Sequence, residues 1–278
     1  MIAQYLRISR PRFWLYLLGP FLIGAIAADT ADFFWPALAV FAFYFTFPAN
    51  MLLYGVNDIF DYETDQHNEK KRGYEALVKP ADRWRIANVI VLWNLPFCVV
   101  WLADEMPQSA KLALLGFLFF GIFYSAKPIR AKTKPIFDSL FNILYIFPAL
   151  FSYGLLEYKF PPWQIIAAGA LWCAAMHAYS AIPDIRADKK AKINTVATFL
   201  RPLGTLVFCM LCFAGAAILT YPWLKVFSIA AGGLYVFIML ITFVRAEPSQ
   251  IFAFYKLFPF VNILVGTGLF FYIALVVK

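Results

Sequence analysis

Charged residues are scarce in this chain of 278 residues. They make up only 14% of the sequence, whereas a soluble domain carries about 25%. Hydrophobic residues make up 63%, and the mean hydropathy is +0.71. This balance excludes an ordinary soluble domain. Together with an aromatic content of 19%, which fits helices facing lipid, it predicts a polytopic α-helical membrane protein.

Cysteine is also scarce, and its placement excludes a disulfide framework. Cys98, Cys173, Cys209 and Cys212 all lie inside apolar runs. The last two form a Cys-x-x-Cys pair, but this pair has no second ligand pair and lies in the middle of a span. We therefore expect small buried packing residues rather than metal or redox chemistry.

Nucleic-acid motifs, low-complexity segments and a separate soluble domain are absent from the sequence. The net charge of +8 therefore indicates contact with anionic lipid and no nucleic-acid partner. The apolar run after Arg12 contains Pro20 and lacks the small-residue cleavage site of a signal peptide, so we interpret it as a first membrane span. One intramembrane domain over residues 1–278 is expected.

About nine apolar spans can be drawn, each near the ~20 residues that cross a bilayer. Asp58 closes the second span and Asp184 the sixth, which predicts two four-helix halves related by a repeat and one added helix. The expected spans are 13–28, 34–57, 86–103, 109–126, 136–156, 163–183, 203–221, 226–244 and 257–277.

Basic residues are distributed unequally between the two predicted sides of the membrane. Of the 24 Lys and Arg residues, all but Lys111, Lys159, Lys225 and Lys278 fall on one side. By the positive-inside rule this side is cytoplasmic, so the N-terminus is expected in the cytoplasm. Both aspartate clusters described next lie on that side, which predicts a functional site at the cytoplasmic face. The membrane is expected to be a prokaryotic plasma membrane.

Two aspartate clusters follow apolar spans. Asp58, Asp61 and Asp65 are spaced i, i+3 and i+7, which places them on one helix face if the helix continues through them; Asp184 and Asp188 are spaced i, i+4. Two such charges ~4 Å apart repel by about 4 kcal/mol at an effective dielectric of ~20, so the clusters need cations. Aspartate oxygens with few soft ligands nearby favour Mg²⁺, and two such clusters suggest that magnesium holds a diphosphate.

The motifs themselves carry a family resemblance. The pattern Asn-Asp-x-x-Asp-x-x-x-Asp at 57–65 resembles the first aspartate-rich motif of the UbiA superfamily of intramembrane prenyltransferases, and 184–188 resembles its second. Residues 124–132 are similar to the tyrosine-to-lysine segment that follows its fourth helix. With nine helices and motifs after the second and the sixth, the resemblance covers nearly the whole chain.

Within this superfamily, three stretches look most like the lycopene elongase branch, which builds extended carotenoids: residues 9–16, 48–58 and 180–185. The basic segment 68–72 differs from the arginine-rich sequence common in quinone-pathway members. The resemblance implies transfer of a prenyl group, with dimethylallyl diphosphate as donor and lycopene or a related carotenoid as acceptor. Attack by a terminal double bond of the acceptor leaves a tertiary cation, which then loses a proton or captures water.

Three other functions share parts of this sequence pattern. An aromatic or quinone-precursor acceptor keeps the same chemistry and stays open. An ion-coupled transporter or channel is disfavoured because the aspartates lie at span ends rather than near the midplane. Phosphotransfer by a CDP-alcohol enzyme is disfavoured because its interleaved glycine and arginine residues are missing.

The candidate site residues fall into three groups by expected role. For several of them a second role stays open: the basic residues can be topology determinants, Asp138 and Asn142 can hydrogen-bond between helices, and His177 is either a general base or a packed histidine. The expected Mg²⁺ ligands are Asp58, Asp61, Asp65, Asp184 and Asp188; the diphosphate-binding residues are Asn57, Arg130, Lys132, Lys70, Lys71 and Arg10; and the cavity residues are Tyr54, Tyr124, Asp138, Asn142 and His177.

Overall fold

The structure is a computed structural model that describes residues 2–30, 35–62, 77–100, 102, 105–244 and 248–278. Over these residues it is helical and contains no β-strand, which confirms the all-α class. The α-helices are α1 (Ile2–Ser9), α2 (Leu15–Ala27), α3 (Trp35–Thr46), α4 (Pro48–Phe60), α5 (Arg83–Val100), α6 (Gln108–Ser125), α7 (Phe137–Leu140), α8 (Phe147–Glu157), α9 (Trp163–Ala181), α10 (Ile185–Lys190), α11 (Val196–Val244) and α12 (Pro248–Tyr272).

Among the described residues, five helical stretches are long and apolar enough to cross a membrane. They are Pro36–Phe60, Gln108–Ser125, Phe137–Glu157, Val196–Val244 and Lys256–Val277, and Leu15–Ala27 is a shorter apolar helix. These helices agree with an integral membrane protein. The count of nine spans and the cytoplasmic N-terminus stay predictions.

Two spans drawn as single helices, the second and the fifth, are interrupted. Phe47 separates α3 from α4 immediately before Pro48, since proline lacks the N–H that continues a helix. The fifth span consists of α7, a 3-10 segment over Phe141–Ile146, and α8. Within α11 the backbone leaves helical geometry at Arg201, which precedes Pro202, and at Lys225. The break at Lys225 lies between the predicted spans 203–221 and 226–244.

The contacts divide the chain into two compact units. The first comprises Met1–Arg130 with Phe147–Phe160, and the second comprises Ala131–Ile146 with Pro161–Lys278. The single domain expected over residues 1–278 stays a prediction.

The first unit is held by aromatic rings and by small residues at helix crossings. Phe41, Phe45 and Phe151 are buried, with ring centroids 4.4 Å apart for Phe41 and Phe151. Gly24 of α2 lies directly against the backbone of α8. In membrane helices, where lipid is as apolar as the side chains, such close packing is what favours association.

The core of the second unit lies between α9, α11 and α12. Phe213 and Tyr235 stack with their centroids 4.6 Å apart, and the Tyr235 hydroxyl donates a hydrogen bond of 2.9 Å to Asn262 Oδ1. Cys209 and Cys212 are buried here and are free thiols. The Cys209 thiol donates to the backbone oxygen of Ala175 at 3.3 Å, so these cysteines are packing residues as predicted.

Candidate active site

The first aspartate cluster begins inside α4 and continues past its end. Asn57 and Asp58 lie in the last turn of α4, which ends at Phe60. Asp61 follows with φ −108° and ψ 6°, so the regular helix expected through all three aspartates is interrupted at the second one. Asp65 of this motif, and Lys70 and Lys71 beyond it, lie outside the described residues.

Arg10 is the partner of Asp58. Its Nη2 lies 3.0 Å from Asp58 Oδ1, and the exposed fractions of the two side chains are 14% and 1%. The guanidinium also lies over the ring of Tyr54, 4.5 Å from its centroid. Tyr54, one of the predicted cavity residues, therefore contacts Arg10 through a face of its ring.

The segment after α6 reaches the same cluster. Ser125 Oγ donates a hydrogen bond of 2.9 Å to Asn57 Oδ1, and Arg130 Nη2 lies 3.6 Å from Asp61 Oδ1. Tyr124, the cavity candidate beside Ser125, is half-buried. Ser125 was not among the candidates, although it lies inside the 124–132 stretch that resembles a family motif. The structure thus brings Ser125 to Asn57 and Arg130 to Asp61, while the diphosphate-binding roles of Asn57 and Arg130 stay predictions.

The oxygen donors of this cluster fit Mg²⁺, which prefers carboxylate and amide oxygens and shares its coordination with phosphate. Asp58 and Asp61 are both buried, and a buried carboxylate needs a compensating positive charge. Arg10 and Arg130 supply part of it. Among the described residues no group of three His, Cys, Asp or Glu side chains is close enough to hold a metal ion.

The second cluster lies in the other unit, at the end of α9 and in α10. The Asp188 N–H donates to the Asp184 backbone oxygen at 2.9 Å, which keeps the two residues on one turn. Asp184 is exposed and Asp188 half-buried. Burial and the neighbouring Asp184 carboxylate raise the pKa of Asp188 to about 6. A cation here would favour the ionised form of both carboxyl groups, so this pair also fits a divalent metal.

Three cavity candidates form a network in the second unit. Asp138 is fully buried. Its Oδ2 accepts the Val196 N–H at 2.8 Å and lies 3.5 Å from His177 Nε2. Asn142 Nδ2 donates to the Asp138 backbone oxygen at 2.6 Å. These contacts favour hydrogen bonding between elements for Asp138. Lys132 lies in the 3-10 turn Ala131–Thr133 of this unit and is half-buried.

Related proteins align with most of this chain. The lycopene elongase/hydratase of Halobacterium salinarum is 38% identical over 265 residues, which cover 93% of this chain and 92% of the relative. That of Haloarcula japonica is 41% identical over 219 residues, covering 78% of this chain and 74% of the relative. This extent agrees with the carotenoid branch to which the motif stretches pointed.

Solved structures share the fold. A UbiA homologue from Archaeoglobus fulgidus bound to DMAPP and Mg²⁺ matches with a TM-score of 0.66 at 20% identity, covering 95% of this chain and 99% of that chain. The apo UbiA homologue from Aeropyrum pernix matches with a TM-score of 0.70 at 18% identity, covering 93% and 97%.

The family model of the UbiA prenyltransferase family matches residues 17–275. The helices, the two aspartate motifs and this match all indicate the same family. The chain therefore belongs to the UbiA prenyltransferase family and is an integral membrane prenyltransferase.

Proposed function

We propose that this enzyme joins the prenyl group of dimethylallyl diphosphate to lycopene or a related carotenoid in a Mg²⁺-dependent reaction. The observation that carries the proposal is the similarity to the lycopene elongase/hydratase of Halobacterium salinarum, which extends over 93% of this chain. The Archaeoglobus fulgidus homologue bound to DMAPP and Mg²⁺ supports the donor and the metal.

Both aspartate clusters serve the diphosphate in this proposal. Asp58, Asp61 and Asp65 hold one ion, and Asp184 and Asp188 a second, while the Asn57 oxygen orients the first group. Mg²⁺, when bound, neutralises the diphosphate and stabilises the leaving group.

Basic side chains supply the remaining positive charge. Arg130 lies 3.6 Å from Asp61, which supports assigning its guanidinium to the diphosphate oxygens, where negative charge develops. Lys132, Lys70 and Lys71 are assigned the same role from the sequence. Arg10 contacts Asp58 directly, so it orients that carboxylate and adds charge to the site.

The acceptor reacts through a terminal double bond. Its π electrons form the new carbon–carbon bond as the allylic carbon–oxygen bond breaks and the diphosphate leaves with the bonding electron pair. The resulting tertiary cation loses a proton to form an alkene, or it captures water and then loses a proton to form an alcohol. Either outcome releases one proton, and the name elongase/hydratase of the relatives covers both.

We place the active site at the cytoplasmic face of a prokaryotic plasma membrane. The asymmetry of the Lys and Arg residues in the sequence supports this placement. Both metal-binding clusters then face the compartment that contains soluble diphosphates, while the carotenoid stays in the lipid.

The test is a reaction of the purified full chain in lipid nanodiscs with dimethylallyl diphosphate, Mg²⁺ and lycopene, analysed by mass spectrometry. We expect lycopene extended by one isoprene unit, with or without added water. Parallel reactions supply geranyl diphosphate as donor or an aromatic quinone precursor as acceptor. Unchanged lycopene together with a prenylated aromatic product would reject the carotenoid acceptor and favour the aromatic one.

A further inference from the structure

Asp138 is a fully buried carboxylate in a predicted membrane span, and such a group is costly unless its neighbours compensate it. Its Oδ2 accepts the Val196 N–H at 2.8 Å and lies 3.5 Å from His177 Nε2. Within the part of the chain that the structure describes, Oδ1 has no hydrogen-bond partner. Val196 and His177 therefore provide the contacts that hold this carboxylate.

Val196 is the first residue of α11, where backbone N–H groups have no acceptor within the helix. Asp138, 58 residues earlier in the chain, accepts this N–H. The adjacent Thr195 caps the same turn: its N–H donates to Thr198 Oγ1 at 2.8 Å, and its Oγ1 accepts the Thr198 N–H at 3.2 Å. This reciprocal pair has the pattern of a capping box. The turn that begins α11 is therefore held both by hydrogen bonds within it and by the Asp138 carboxylate.

The same turn contacts the second aspartate cluster. Thr195 Oγ1 donates to Asp188 Oδ2 at 3.4 Å, and the Ile193 N–H donates to the Asp188 backbone oxygen at 2.9 Å. Asp138 and Asp188 thus hold neighbouring residues of one short turn. A displacement of Val196 would move Thr195 and, with it, the carboxylate of Asp188.

We propose that Asp138 is a positioning residue for Asp188, acting through Val196 and Thr195, with the half-buried His177 as its other contact. This inference rests on the proposed function, in which Asp188 is a Mg²⁺ ligand. Partners that orient a metal ligand typically change metal affinity or activity by about 10–100-fold when they are removed. In this role Asp138 acts only through the turn, so its loss weakens metal binding more than it affects turnover at saturating metal.

The test measures binding of Mn²⁺, a paramagnetic substitute for Mg²⁺, to the detergent-solubilised full chain by electron paramagnetic resonance. Asp138→Ala is expected to weaken one class of Mn²⁺ sites by about 10–100-fold. The Mg²⁺ concentration for half-maximal turnover rises by the same factor, while kcat at saturating Mg²⁺ stays near wild type. Asp138→Asn is expected to weaken binding less, because its side-chain oxygen still accepts the Val196 N–H. A folded Asp138→Ala protein with wild-type Mn²⁺ affinity would overturn the proposal.

Two further variants complete the experiment. Thr195→Val removes the hydroxyl that joins the turn to Asp188, and it should reproduce the weakening, whereas Thr195→Ser should restore wild-type affinity. Ser139→Ala is the matched control. Ser139 is also fully buried and is adjacent to Asp138, but its side chain takes no part in the hydrogen bonds that connect Asp138 to Asp188. If Asp138→Ala fails to fold, wild-type affinity in Asp138→Asn and Thr195→Val overturns the proposal.

Asp188→Ala separates this inference from the proposed function. Wild-type Mn²⁺ binding in Asp188→Ala would remove the metal assignment, and with it both proposals. Weakened binding in Asp188→Ala together with unchanged binding in the Asp138 variants would remove only the positioning role.

Discussion

Asp58 shows how a single buried charge is compensated by neighbours that the chain brings from elsewhere. Its carboxylate is 1% exposed, and a buried charge is costly unless a neighbouring charge compensates it. Arg10 supplies the opposite charge, and the ring of Tyr54 lies against the guanidinium. The backbone of Arg10 adopts φ 50°, an uncommon conformation for a residue with a side chain, so its position depends on these contacts.

The contact between Arg10 and Tyr54 can be tested by ring removal. Tyr54→Leu removes the aromatic face, and a desolvated cation–π contact is worth about 2 kcal/mol. We therefore expect turnover to fall by roughly tenfold or more. Tyr54→Phe keeps the ring and should retain most activity. Steady-state kinetics of both variants provide the measurement, and equal losses in both would show that the hydroxyl rather than the ring matters.

The metal assignment predicts a larger effect at the aspartates. Asp58→Ala and Asp184→Ala should each lower Mg²⁺-dependent diphosphate release by at least about 100-fold, above the range for groups that only orient a ligand. Membrane insertion should be unaffected. Asp82→Asn is the control, because Asp82 forms a partly exposed pair with Arg85 at 3.1 Å. Full turnover in either alanine variant would contradict the assignment of that cluster.

At the scale of the elements, small residues decide how closely helices pack. A Cβ atom added at Gly24 would meet the backbone oxygen of Ala149 and the hydroxyl of Ser152, and a backbone atom of a packed helix has little freedom to retreat. Ser152 Oγ also donates to the Phe21 backbone oxygen at 2.7 Å across the same crossing. The α2–α8 contact therefore depends on glycine at this position.

Gly24→Ala and Gly19→Ala form a matched pair within α2. Gly24→Ala should destabilise the protein by about 1–3 kcal/mol, the usual cost of overpacking. Gly19 has no atom within 4 Å of an added Cβ, so Gly19→Ala should be neutral or slightly stabilising, since alanine favours helix. Thermal unfolding in detergent compares the two. A destabilisation of the same size in both would show that the close approach at Gly24 does not limit packing.

At the scale of the whole molecule, the charge asymmetry predicts the orientation in the membrane. Tyr158 lies in a loop predicted to be outside and is 74% exposed, while Lys190 lies in a loop predicted to be cytoplasmic and is also exposed. These two positions therefore report on opposite sides of the bilayer.

Cysteine labelling tests this orientation. A membrane-impermeant thiol reagent should label Tyr158→Cys in intact cells, and it should label Lys190→Cys only after the membrane is opened. The unsubstituted chain controls for its four native cysteines, three of which are buried. Labelling of Lys190→Cys in intact cells would reverse the predicted topology.

The sequence alone predicted the properties that depend on composition and local spacing. Long apolar stretches predict membrane helices because an apolar run of that length has no other favourable environment. Aspartates at fixed spacing after a span predict a cation site, because like charges held on one turn need a counter-charge. The family and its carotenoid branch were indicated by the resemblance of the motif stretches to known members, and the comparisons confirmed both.

The tertiary structure decided which distant residues meet. Arg10 lies 48 residues before Asp58, and Asp138 lies 58 residues before Val196, so no periodic pattern could pair them. It also showed that α4 ends at Phe60, where the spacing alone favoured a continuous helix. Local periodicity in the sequence indicates on which face of a helix each residue lies. The partner of a buried charge depends instead on how helices pack, and contacts between residues far apart in the chain determine that packing.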